Sequence, residues 1–222
     1  MPDWEHPDTV AFFRERDPDV RLTELIVSGA LRPATPVLDV GCAAGRNVVH
    51  LAERGFPGVA VDASAAMVAA TRERLAPYGA SAPWTVLHRR MTDLDDLADG
   101  SFGLVLALGV LHNAPDDATF ARALDQLVRL AWPGARVMIQ NFGPDSRPHG
   151  VPLRRVPGSR HAWHGFEPDD AAHAYTLPDA AELDAMLAER GCAPALPTRV
   201  ASKPMKAGRR TTIVGEYLKA LG

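Results

Sequence analysis

The sequence predicts an α/β fold: a doubly wound, mostly parallel sheet with helices on both faces. Three observations carry this reading. Apolar runs alternate with helix-patterned stretches from residue 37 to 140, as in strand–helix–strand units joined by right-handed crossovers. The run 102–108 is apolar almost throughout, as a strand covered on both faces must be. The length of 222 residues suits one generous domain, at roughly 150 residues per domain. Hydrophobic residues at 46% and charged residues at 23% lie near globular averages, so the chain has the material for a core and is neither disordered nor fibrous.

The elements follow in order. Between Asp8 and Leu31, Val10, Phe12, Phe13, Leu22, Leu25 and Ile26 recur at helical spacing, and Pro18 divides them into two short helices. Val37-Leu38-Asp39-Val40 is a buried strand running into the turn Gly41-Cys42-Ala43-Ala44-Gly45, and residues 46–54 form a helix closed by Gly55. Val59 to Asp62 is the second strand, and Ser64 caps a helix over 65–75 that Pro77 stops. Strands are predicted at 84–89 and 102–108, a helix at 116–131, a turn at Pro133-Gly134 and a strand at 136–140. The alternation then breaks. Residues 141–175 hold five prolines, four histidines and Trp163 without sustained period, which predicts a lid or binding segment. Thr176-Leu177-Pro178-Asp179 has capping-box form before a helix over 177–190, and runs at 195–202 and 211–218 read as a terminal hairpin. The whole, 1–222, is expected to be one domain, with amino-terminal helices in 1–32 and an inserted segment at 142–176.

Composition excludes several function classes. Two cysteines, Cys42 and Cys192, build neither a disulfide framework nor a Cys-rich zinc site, which fits a reducing cytoplasm. The net charge of −3 gives no general attraction for nucleic acid or an anionic membrane. The longest nearly uncharged stretch, 101–114, is too short for a membrane helix of about 20 residues, and the acidic start MPDWEHPDTV lacks the pattern of a secretion signal. One basic cluster, Arg199, Lys203, Lys206, Arg209 and Arg210, is either a grip for an acidic ligand or a solvated turn.

In an open parallel sheet, ligands bind beyond the carboxyl ends of the strands. At the first such end the small residues 41–45 let a ligand approach the backbone. At the second stands Asp62, about 20 residues on, where a carboxylate can accept hydrogen bonds from two ribose hydroxyls. A nucleoside fits. The turn is not Gly-x-Gly-x-x-Gly, which speaks against a pyrophosphate and hence a dinucleotide.

With these residues the chain resembles class I S-adenosylmethionine-dependent methyltransferases. Residues 37–47 are similar to that family's first motif and Val59-Ala60-Val61-Asp62-Ala63-Ser64 to its second, while Gly45-Arg46-Asn47 is most similar to the small tellurite-resistance and thiopurine-type branch. The resemblance implies a Rossmann-like sheet of seven strands, the last hairpin strand antiparallel, and S-adenosyl-L-methionine as cofactor, released as S-adenosyl-L-homocysteine. It implies cofactor contacts from Asp39, Gly41, Cys42, Ala43, Gly45, Asp62, Ala63 and Leu108, with Thr92, Asp93 and Leu94 at the adenine. Asp93 shares its acidic loop with Asp95 and Asp96, which leaves the adenine contact open among them. Two positions depart from the pattern: Ala43 stands where many members have glycine, and Gly103 where the fourth strand often begins with aspartate.

Methyl transfer from a sulfonium is an in-line displacement that depends mainly on alignment and exclusion of water, so a general base is optional. The residues after the fourth strand, Leu108 to Asn113, lack the Asn/Asp-Pro-Pro-aromatic run of nucleic-acid-base methylases, and Gly109 with Gln140-Asn141 offers too few carboxylates for a metal. No metal is expected. What remains is a small-molecule O, S or N acceptor and a cytoplasmic monomer or homodimer without nucleic-acid or membrane partners. His112 is the expected catalytic group, and Asn141, His161, His164 and Tyr175 are expected on the substrate; each also has a structural reading, as helix start, loop or packing residue. A non-catalytic S-adenosylmethionine sensor and an NAD(P)-dependent oxidoreductase are the alternatives.

Overall fold

The computed structural model describes residues 3–79, 81–166 and 174–221. Its helices are α1 Pro7–Arg14, α2 Val20–Val27, α3 Arg46–Ala52, α4 Ala65–Leu75, α5 Asp117–Leu130 and α6 Ala180–Ala188. The main sheet contains β1 Val37–Val40, β2 Gly58–Asp62, β3 Trp84–His88, β4 Phe102–Leu108, β5 Ala131–Phe142, β9 Cys192–Pro194, β10 Arg199–Met205 and β11 Gly208–Lys219. A small sheet holds β6 Arg154–Arg155, β7 Ala162–His164 and β8 Tyr175–Thr176.

Seven strands run in the order β3-β2-β1-β4-β5-β11-β10, and β9 adds to β11. Pairs from β3 to β5 are parallel, whereas β11 is antiparallel to β5 and to β10. Strand order reverses between β1 and β4, so the crevice beyond their carboxyl ends is where this architecture places a ligand.

The run in β4 explains the two-sided core. Leu104, Leu106 and Leu108 pack with Leu22 and Leu25 of α2 on one face, while Val105 and Ala107 pack with Phe120, Leu124 and Leu127 of α5 on the other. Alternation by two sorts one apolar string into two layers. Gly103 is set by packing: a Cβ there would lie 2.6 Å from Thr35 Cγ2 and 2.7 Å from Trp132 Cε2, so no side chain fits beneath the indole.

Three sequence expectations shift. β5 starts at Ala131, so Pro133-Gly134 lies inside the strand, where Gly134 takes φ +79° and the register with β4 slips. The last helix starts at Ala180 under Asp179, whose carboxylate takes the Glu182 N–H at 2.8 Å while Glu182 takes the Asp179 N–H at 2.9 Å. The capping box is therefore Asp179–Glu182, and Thr176 serves β8 instead. Within 142–176 the chain forms the β6–β8 sheet instead of an irregular loop; residues 167–173 of that expected segment lie outside the described residues. Among the described residues no helix is long and apolar enough to cross a membrane.

Candidate active site

The turn after β1 places three residues in the left-handed region at alternate positions: Gly41 at φ +75°, Ala43 at +48° and Gly45 at +77°. Gly41 has no choice, since a Cβ would overlap that of Val110 and lie 2.7 Å from its Cγ2. Ala43 carries the strain of a left-handed side-chain residue, about 1–2 kcal/mol, and two contacts hold it. Its N–H donates to Asp62 Oδ2 at 2.8 Å, and its carbonyl accepts from Thr71 Oγ1 at 2.7 Å. The N–H groups of Gly41 and Cys42 go to Val61 O at 2.8 and 3.0 Å, and that of Gly45 to Cys42 O at 2.9 Å.

Asp62 joins the two strand ends. One carboxylate oxygen holds Ala43, and the other takes the Ser64 N–H at 2.9 Å. Burial pushes its pKa up, against these backbone bonds, which pull it down. Each oxygen retains a lone pair for a further donor. Ala63 is exposed beside it. Asp39, one residue from the end of β1, is 1% exposed, and its Oδ2 has no hydrogen-bond partner among the described residues. Burial pushes its pKa up to about 7; Arg46 pulls it down, while Asp62 and Asp19 push it further up. An unpartnered buried carboxylate is costly and asks for a cationic donor. Cys42 is buried, its thiol pKa raised by burial, and its Sγ lies 3.9 Å from Thr71 Oγ1, so it is inert packing.

On the far side of β2, Leu94 is fully buried while Thr92 and Asp93 stand near the surface, the Thr92 hydroxyl donating to Asp93 Oδ1 at 2.9 Å. Asp95 is tied down by Arg122 at 2.7 Å and Gln126 at 2.6 Å, and Asp96 pairs with Arg89. Of the three acids in this loop, Asp93 is the one without an ion pair among the described residues.

Beyond β4, Leu108 leads through Gly109 and Val110 into the 3₁₀ turn Leu111–Asn113. His112 is 5% exposed, its Nδ1 without a hydrogen-bond partner among the described residues and its ring stacked 3.8 Å from that of Phe142. Burial, with some help from Arg210, pushes its pKa down to about 3, so the imidazole is neutral. Asn141, wholly buried near the end of β5, donates from Nδ2 to Thr176 O at 3.2 Å, and its Oδ1 has no partner among the described residues. Thr176 in turn donates from N and Oγ1 to Ala114 O at 3.1 and 3.0 Å. These bonds clamp β8 and buried Tyr175 over the His112 turn.

His112, Phe142, Phe166 and Tyr175 thus come together as one aromatic wall. His161 is placed otherwise. Its Nδ1 is 3.2 Å from Asp117 Oδ1 and its Nε2 3.5 Å from Glu182 Oε1, so it links the starts of α5 and α6 to the small sheet. His164 is half-buried in β7.

Sequence reasoning missed the network that anchors α2. Arg21 grips Asp19 through Nε at 2.9 Å and Nη2 at 2.7 Å and also reaches Gln140 Oε1 at 3.2 Å, while buried Asn47 accepts the Asp19 N–H at 2.9 Å. The tertiary packing of α2 on β5 brings these together, and no sequence spacing reports it. A cavity of about 410 Å³ lies here, lined by Arg16, Asp17, Asp19, Arg46 and Gln140 among others, at the carboxyl end of β5. A second cavity, about 440 Å³, sits by Trp84 and Arg72 at the opposite end of the β3 edge and has no part in the site.

Residues 37–134 match the methyltransferase domain family. Among curated proteins, the chain is 34% identical over 116 residues to N-demethylindolmycin N-methyltransferase of Streptomyces griseus, covering 51% of this chain and 46% of that one. It is 30% identical over 161 residues to trans-aconitate 2-methyltransferase of Azoarcus sp., covering 71% and 58%. The chain thus spans about half of these relatives' length. The solved structure of Burkholderia thailandensis 1,6-didemethyltoxoflavin-N1-methyltransferase, with its substrate and S-adenosylhomocysteine bound, is similar at a TM-score of 0.63 and 21% identity over 90% of this chain and 77% of that one. The fold is a methyltransferase fold.

Proposed function

We propose that the protein is an S-adenosylmethionine-dependent methyltransferase acting on a small-molecule nucleophile. The observation that carries this is Asp39: a buried carboxylate with an unpartnered oxygen, at the end of β1 and within the field of Arg46. Such a pair suits a zwitterionic amino-acid group, Asp39 taking the ammonium and Arg46 the carboxylate. Asp62, with acceptor capacity left on both oxygens, suits the ribose hydroxyls. Asp93 suits the adenine amino group, and Gly41, Ala43 and Gly45 keep the floor between them open. When bound, the cofactor supplies a methyl group already activated on a sulfonium.

The chain's own task is then alignment. His112 is neutral, and in its Nε2–H tautomer the free Nδ1 accepts a hydrogen bond from an acceptor O–H or N–H, which orients the attacking lone pair. A group whose pKa is about 3 is a weak base, so positioning is its role, with the benefit that it adds no positive charge beside a sulfonium. The aromatic wall and the clamped β8 exclude water from this end of the crevice. Tyr175 and Asn141 flank the same space, His164 stays a substrate-side candidate by its place in β7, and His161 holds the segment in place.

Kinship with the tellurite-resistance and thiopurine-type branch stays part of this proposal, resting on Gly45-Arg46-Asn47. So do a single domain, a monomeric or dimeric cytoplasmic enzyme, and the absence of nucleic-acid partners. The test has two parts. Calorimetry should detect S-adenosylhomocysteine binding, and labelled S-adenosylmethionine with a panel of thiols, phenols, amines and carboxylic acids should yield labelled product. No binding of either cofactor form would sink the proposal; binding without turnover on any acceptor would favour a sensor.

A further inference from the structure

Arg210 lies on β11 two residues before Thr212, which pairs in register with Phe142, so Arg210 shares a sheet face with Phe142. Its guanidinium carbon is 4.7 Å from the centre of the Phe142 ring, the same ring that stacks on His112. Arg210 therefore sits one aromatic ring away from the atom expected to face the nucleophile. It is half-buried, its Nε is buried without a hydrogen-bond partner, and no carboxylate among the described residues pairs with it. The comparison within the molecule is telling. Arg21, Arg129, Arg136 and Arg190 are also partly buried, and each is paired, with Asp19, Asp99, Glu216 and Asp125. Half-buried Arg46 and Arg74 lack a carboxylate among the described residues but donate to Asp17 O at 3.1 Å and Ala44 O at 2.6 Å, whereas Arg210 has neither kind of partner there. Half-burying a guanidinium costs free energy that the contact with the Phe142 ring offsets only in part, and no hydrogen-bond acceptor among the described residues offsets the rest.

We propose that Arg210 is the anion-binding group of the acceptor site and that the acceptor carries a carboxylate. This rests on the methyltransferase reading and adds the substrate class to it. A guanidinium fork receives a carboxylate through two parallel N–H bonds, which fixes orientation as well as position. Phe142, whose ring His112, Phe166 and Arg210 all contact, sets the spacing between that anchor and His112, which suits an acid whose nucleophilic atom lies about one ring's width from its carboxylate. Arg16 strengthens the field: it lines the adjoining cavity, and its charge, together with burial, lowers the pKa of Arg210, so two cations face this region. Of the basic cluster seen in the sequence, Arg210 alone turns inward far enough to be half-buried, without a hydrogen-bond or ion-pair partner among the described residues, while Arg199, Lys203, Lys206 and Arg209 are exposed.

The experiment titrates benzoate, phenylacetate and cinnamate, each against its amide, into protein saturated with S-adenosylhomocysteine. The acids should bind more tightly than the amides. Arg210→Gln should weaken the acids at least tenfold, as expected for lost hydrogen bonds to a charged group, and leave the amides and the S-adenosylhomocysteine affinity unchanged. Arg210→Lys should retain part of the preference. Arg16→Gln, at an exposed position, should weaken the acids two- to threefold and serves if the Arg210 variants do not fold. Acids binding no better than amides, or equally well to wild type and to the Gln variants, would overturn the proposal. S-adenosylhomocysteine failing to bind the wild type would instead strike the methyltransferase reading itself.

Discussion

Replacing Asp62 separates its two tasks. In the free protein its carboxylate accepts the Ala43 and Ser64 N–H groups at 2.8 and 2.9 Å. A hydrogen bond to a charged group contributes about 1.5–3 kcal/mol, so two would cost several kcal/mol if nothing offset them. The offset is burial, which is the largest influence on this group and raises its pKa; removing the carboxylate recovers that desolvation. We expect Asp62→Ala to lower stability by about 2 kcal/mol in urea denaturation. Ala43, held left-handed partly by this bond, should loosen with it. Asp62→Asn should be no milder: one amide oxygen can serve only one of the two donors, and its NH₂ faces the other. The second task is read by calorimetry with S-adenosylhomocysteine. Loss of a charged acceptor for ribose hydroxyls should weaken binding by about 1–3 kcal/mol, or roughly 5- to 150-fold. If stability falls as expected while affinity stays within twofold, the ribose assignment is wrong and Asp62 is only the brace of the turn.

Asp39 makes a pH prediction. Its folded pKa of about 7 lies above the ordinary 3.8, so its contribution is full below about 4 and is lost as pH rises toward 7. Asp39→Asn should abolish that fall, measured by denaturation from pH 4 to 8, while weakening S-adenosylhomocysteine. Binding to wild type at pH 6.5 should release protons, seen as a dependence of calorimetric heat on buffer ionisation enthalpy that the variant lacks. His112 has the opposite sign: its folded pKa of about 3 lies below the ordinary 6.5, so its contribution is full above 6.5 and fades as pH falls toward 3. His112→Phe should remove this acid loss and slow turnover without changing cofactor affinity; a rate inflection near pH 6.5 that vanishes in the variant would contradict a neutral role. Gly41→Ala should cost about 2 kcal/mol or more, from left-handed strain plus overlap with Val110. Adding Val110→Ala should relieve the overlap and leave about 1–2 kcal/mol of strain; no recovery in the double variant would refute the steric account.

What could be read from the residues follows from how local each constraint is. The strand β4 matched its predicted bounds because an uninterrupted apolar run between polar ends has only one buried solution, and α4 because Ser64 and Pro77 mark its ends chemically. The turn and Asp62 were legible because a glycine turn needs backbone geometry that few residues supply, and because their separation is one strand–helix–strand step. Where competing local signals existed, the nearer one misled: Thr176 to Asp179 looked like a capping box, but tertiary bonds from Thr176 to Ala114 and Asn141 claim it, and Asp179–Glu182 caps α6.

The sequence by itself determined the alternating elements, the sheet's two-sided core and the glycine turn and acid on which the proposed nucleoside site rests, all set by spacing within a single strand–turn–helix unit. Only the tertiary structure brings together the residues proposed for the acceptor side. His112, Phe142, Tyr175 and Arg210 come from four separated segments, and nothing in their sequence positions says that β11 lies beside β5 with Arg210 over Phe142. Whether an arginine is a solvated turn residue or an unpaired cation against an aromatic ring depends on which strand lies next to it, and that is fixed by long-range pairing and burial.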